Sequence, residues 1–92
     1  MNKRYGLRKQ TMAKRIIGIL GGMGPEATLD FFGKIIHHTP ATKDQEHLRV
    51  IIDSNPQIPD RTEAIIGRGE SPVPMMVVSG RTLARAGADF IV

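Results

Sequence analysis

With 92 residues and a mass of 10.1 kDa, the chain has room for one compact domain at most. Apolar residues make up 40% and charged residues 24%, ordinary globular proportions that exclude a wholly disordered or collagen-like chain. No apolar run approaches the roughly 20 residues that cross a bilayer, so no membrane partner is expected and a soluble, cytoplasmic chain is.

The formal net charge of +4 is unevenly spread. Lys3, Arg4, Arg8, Lys9, Lys14 and Arg15 precede the first acid, Glu26, and the remainder of the chain is mildly acidic. The high pI therefore describes an arm, and with three Phe, one Tyr and no Trp there are few stacking platforms; no nucleic-acid partner is expected. Cysteine is absent, which removes disulfides, thiolate metal ligands and a cysteine nucleophile from these residues.

Residues 1–14 read as a basic, disordered leader without apolar periodicity, with Met12 as a plausible natural start. Residues 15–92 read as one incomplete α/β domain. A nearly continuous apolar run, Ile16 to Leu20, ends at Gly21-Gly22-Met23-Gly24, the signature of a first strand buried on both faces. Pro25 suits the first turn of a helix and Glu26 suits its positive end, so a helix is expected from about Pro25 to His38, stopped by Thr39-Pro40. Ala27, Phe31, Phe32, Ile35 and Ile36 are expected to face the sheet.

Arg49 to Asp53 reads as the second strand, followed by a loop whose two prolines, Pro56 and Pro59, exclude regular structure. A short helix over Arg61 to Gly67 and a loop to Pro74 come next. A long helix from about Pro74 to Ala86 follows, carrying Met76, Val77, Gly80, Leu83 and Ala84 as its apolar marks and Gly87 as its C-cap. Asp89-Phe-Ile-Val92 begins a third strand. The β-α-β-α-β alternation predicts a parallel sheet flanked by helices, a partial three-layer α/β domain truncated in its third strand.

The glycine loop lies where open α/β sheets bind ligands, beyond the carboxyl end of a strand, and its backbone suits a phosphate or a carboxylate. Gly22-x-Gly24-x-x-Ala27 satisfies a relaxed dinucleotide pattern, with Asp53 placed as a ribose-binding acid, although Pro25 removes one amide from a phosphate nest. The alternative is a tight turn with no ligand. The loop after the second strand offers Asn55, Gln57, Asp60 and Arg61 beside it. Arg61 is the natural carboxylate clamp, its planar fork reaching both oxygens at once, unless it pairs with Asp60 or Glu63 on the surface.

His37, His38 and His47 lack metal-ligand spacing, so no metal is expected. Thr28 and Ser79 have no His/Asp partner legible in the sequence, and Met75 and Met76 read as core filling.

Four segments in order, Ile17-Gly-Ile-Leu-Gly-Gly-Met-Gly-Pro25, Asp44-Gln-Glu-His47, Asn55-Pro-Gln-Ile-Pro-Asp-Arg-Thr62 and Gly87-Ala-Asp-Phe-Ile91, resemble the aspartate/glutamate racemase family, in its aspartate and broad-specificity amino-acid racemase branch. The resemblance implies a cofactor-independent enzyme of two similar α/β domains, a homodimer at full length, acting on an amino acid of the aspartate or glutamate class. It implies one cysteine from each domain, on opposite faces of the substrate Cα. Arg61 would hold a substrate carboxylate, and Gly22, Met23, Gly24, Asn55 and Gln57 would line the pocket. The family's first catalytic cysteine follows the strand begun at Gly87 to Val92, within a Pro-Cys-Asn-Thr type segment. This sequence contains neither cysteine, so no catalytic residue is assigned and the 92 residues alone are expected to be inactive. The alternatives are a small carboxylate- or nucleotide-binding α/β module without catalysis and a dinucleotide-binding domain.

Overall fold

The computed structural model describes residues 15–92, and the basic leader expected over residues 1–14 lies outside the described residues. The elements are β1 (Ile16–Gly21), α1 (Pro25–His38), a 3-10 turn (Asp44–Glu46), β2 (Arg49–Ser54), α2 (Arg61–Ile65), α3 (Val73–Arg85) and β3 (Phe90–Ile91). The strands form one parallel sheet in the order β2-β1-β3, with Ile16 opposite Arg49 and Ile17 opposite Phe90. The α/β class and parallel topology expected from the alternation of elements are those observed. The short helix ends at Ile65, two residues before the glycine that the sequence suggested as its limit, and α3 begins one residue early, at Val73.

Two glycines of β1 fix the layers. A methyl group on Gly18 would lie 3.3 Å from Leu83 Cβ of α3, whereas one on Gly21 would come within 3.0 Å of the Thr28 side chain of α1. Side chains three apart on a strand point to opposite faces, so α1 and α3 cover opposite sides of the sheet. The chain crosses from β1 out to β2 and back over β1 to β3, and two connections of one hand running in opposite directions place their helices on opposite faces. Gly18 is required for it: a Cβ there would lie 2.8 Å from Ala88 Cβ and crowd the fully buried Leu83, so the end of α3 could not approach the strand as closely.

The β1–β3 pairing continues past its two-residue strand, as Val92 donates to Gly18 O at 2.9 Å and Leu20 donates to Val92 O at 2.8 Å. At the other end Ile16 N donates to Asp89 Oδ2 at 2.7 Å, and the Arg15 guanidinium stands 5.3 Å from the Phe90 ring centroid. Helix α3 closes in a Schellman motif: Ala88 N donates to Leu83 O and Gly87 N to Ala84 O, with Gly87 at φ 105°.

The face of α1 differs from expectation. Its half-buried row is Thr28, Phe32, Ile35, continued by Thr39 just past the helix end, while Ala27, Phe31 and Ile36 are exposed. Two threonines occupy the inward row because each finds a hydrogen-bond partner there: Thr39 Oγ1 donates to Ile35 O at 2.6 Å, and Thr28 serves the glycine loop. On α3 the inward positions are Met75, Met76, Ser79, Gly80 and Leu83, and Val77 and Ala84 face outward.

Candidate functional site

At the carboxyl ends of β1 and β2, the two following segments leave toward opposite faces of the sheet. A crevice opens wherever adjacent strands do this. Here it is a cleft of about 560 Å³ lined by the glycine loop, Gly22, Met23 and Gly24, and by Pro56, Ile58, Asp60, Arg61 and Thr62 of the loop after β2. Met23 and Arg61, expected on one ligand from sequence, line the same cleft.

The turn after β1 is tightly specified. Gly22 adopts φ 109°, a conformation side chains rarely tolerate, and an added Cβ would strike the Asn55 backbone. Its amide donates to Thr28 Oγ1 at 2.9 Å, and Thr28 Oγ1 donates to Gly24 O at 3.3 Å. The Gly22 amide is thus engaged within the protein, and Pro25 has none to offer. A phosphate nest needs successive free amides, so this loop is poorly equipped for the dinucleotide reading.

The second wall is anchored from below. Asn55 N donates to Gly21 O at 3.0 Å, tying the two loops together where the strands end. The Asn55 side chain turns away from the cleft: Nδ2 donates to Ser79 Oγ at 3.0 Å, and Oδ1 accepts from Gln57 N at 3.0 Å. Neither Asn55 nor Gln57 is among the residues lining the cleft. Ile58, only 6% exposed, pins the loop into the core, and Asp60 Oδ1 accepts from Glu63 N at 3.0 Å as the N-cap of α2, which orients Arg61 at the first helical position.

Arg61 is exposed and, among the described residues, makes no ion pair within 4.0 Å; the ion pair formed is Lys34–Asp30, one turn apart on α1. Neither Asp60 nor Glu63 pairs with it within that distance, although Asp60 lines the same cleft. A guanidinium without a carboxylate partner, facing a cleft, is suited to an anionic ligand. Arg61 also borders a second cavity of about 580 Å³ between α2 and α3, lined by Ala64, Ile65, Pro72, Val73 and Met76.

Of the six residues expected from sequence, Gly22, Met23, Gly24 and Arg61 meet in one cleft, and Asn55 and Gln57 are not among the residues that line it. Thr28 and Ser79, which have no catalytic partner legible in the sequence, hold the two sides of the cleft: Thr28 the glycine loop and Ser79 the loop after β2. A Thr in the first turn of α1, six residues after the turn glycine and within reach of its amide, was a usable signal for the first. For Ser79 the sequence held none.

The fold is an open α/β domain with a cleft at the carboxyl ends of two adjacent parallel strands. The Asp/Glu/Hydantoin racemase family matches residues 20–92, and the chain belongs to that family. Among solved structures it is similar to Picrophilus torridus aspartate racemase, at 43% sequence identity and a TM-score of 0.79 over 84% of this chain. The match covers 33% of that racemase chain, so the present sequence spans about a third of its length.

Proposed function

We propose that this chain is the segment of a cofactor-independent, cytoplasmic amino-acid racemase that grips the substrate, with Arg61 holding a carboxylate in the cleft beside Met23. The juxtaposition of Met23 with an Arg61 that lacks a carboxylate partner among the described residues carries this reading, together with membership of the racemase family. The ligand class is an amino acid of the aspartate or glutamate type. The full enzyme is expected to be a homodimer.

Inversion at Cα requires a base that removes a weakly acidic proton from one face and an acid that returns one to the other. In the family reading, a thiolate and a thiol perform these steps, and hydrogen bonds to the substrate carboxylate stabilise the charge that develops as the proton leaves. This chain supplies the second part of that chemistry. It contains no cysteine, so both proton-transfer groups would have to come from sequence beyond these 92 residues.

The direct test is to incubate the purified chain with L-aspartate and with D-aspartate and resolve the enantiomers chromatographically. No interconversion above the buffer control is expected. Turnover would refute the assignment of the chemistry to absent thiols.

A further inference from the structure

We propose that Thr28 is a positioning residue of the cleft, holding the glycine loop in the one conformation that presents Met23 opposite Arg61. The inference deepens the carboxylate reading above and rests on it for the nature of the ligand. Its structural basis is a strap of three hydrogen bonds made by one residue, two through its hydroxyl and one through its backbone amide. Thr28 Oγ1 accepts the Gly22 amide hydrogen at 2.9 Å and donates its own hydrogen to Gly24 O at 3.3 Å, so the hydroxyl spans the residue between them, Met23. The Thr28 backbone amide donates to the same Gly24 oxygen at 3.2 Å. The side chain also packs where Gly21 lacks one, since a methyl at Gly21 would come within 3.0 Å of Thr28 Cβ, Cγ2 and Oγ1.

These contacts decide which parts of the loop can face a ligand. The Gly22 amide is committed to α1, and the Gly24 carbonyl oxygen is held by two donors of Thr28, so both ends of the Met23 segment are fixed before a ligand arrives. A hydroxyl is needed because the position must accept and donate at once, which valine of the same shape cannot do and serine can. The methyl group serves only packing. The hydroxyl and the methyl therefore have separable roles.

The test compares the 92-residue chain with Thr28→Val and Thr28→Ser. Amide hydrogen exchange, followed by NMR without ligand, should show the Gly22 amide exchanging about tenfold faster or more in Thr28→Val and close to the parent rate in Thr28→Ser. L-Aspartate titration should then show affinity falling about tenfold in Thr28→Val, with Thr28→Ser restoring it, whatever the melting temperatures of the two variants. Thr28→Ser loses packing, so a purely structural role would weaken both variants in step with their stability. Unchanged Gly22 exchange in Thr28→Val, or equal loss of affinity in both variants, overturns the proposal. A parent chain that takes no aspartate overturns the carboxylate reading instead, and the exchange rates still decide whether Thr28 holds the loop.

Discussion

The Asn55 side chain donates from Nδ2 to the oxygen of Ser79, 3.0 Å away and 24 residues later, and Ser79 is completely buried. This bond joins the loop after β2 to the middle of α3. Replacing Ser79 by alanine leaves a part-buried amide hydrogen without its acceptor, which costs about 1–3 kcal/mol. Chemical denaturation should show a lower midpoint with an unchanged slope. Asn55→Ala with Ser79→Ala should be less damaging than the sum of the single changes, because either one already breaks the bond.

Glycines divide into those the fold needs and those it does not. Gly22→Ala forces a side chain into a positive-φ site against the Asn55 backbone and is expected to cost at least about 2 kcal/mol. Gly33, in the middle of α1, has nothing within 4 Å of its added methyl, so Gly33→Ala should stabilise the chain by about 0.5–1 kcal/mol through helix propensity. Thermal melts of the two variants should move in opposite directions.

Arg61→Ala removes the proposed carboxylate clamp without removing a side-chain hydrogen bond or ion pair formed among the described residues. Charge-assisted hydrogen bonds contribute about 1.5–3 kcal/mol, so aspartate affinity should fall roughly 10- to 150-fold while the far-ultraviolet circular dichroism stays unchanged. Arg61→Lys should recover only part of the loss, because a single ammonium cannot engage both carboxylate oxygens in parallel.

Glu46 lies in the polar turn before β2. Its Oε1 accepts from Thr42 N at 2.7 Å and from Thr42 Oγ1 at 2.9 Å, and these bonds hold its carboxyl below the ordinary glutamate range. Because the folded-state value is depressed, the associated stability is present above the ordinary glutamate pKa and is lost as pH falls through the lowered one. Carbon-13 NMR of the Glu46 carboxyl should report this titration, and Thr42→Ala should move it back toward the ordinary value.

The strands and helices were legible because their ends carry strong local signals: Pro25 after a glycine turn, Thr39-Pro40, and Gly87 before an apolar run. The inward face of α1 was not. Leu29, Phe31, Phe32, Ile35 and Ile36 spread apolar groups around most of the helix, and two threonines with hydrogen-bond partners took inward positions that apolar periodicity assigns to other residues. Met23 and Arg61 could be brought together because each follows a strand, and adjacent parallel strands deliver their next residues to the same end. The bond between Asn55 and Ser79 was not legible, because Ser79 looks from sequence like any polar residue on a helix.

One measurement reaches the central claim directly. The chain, labelled with nitrogen-15, is titrated with L-aspartate, and the ligand's Cα proton is then followed in heavy water. Saturable shifts confined to Met23, Gly24, Arg61 and Thr62, with the Cα proton retained over days, are the expected result. Absence of shifts at these positions, or replacement of the Cα proton by deuterium, would contradict a chain that grips the substrate and leaves the chemistry to thiols it does not contain.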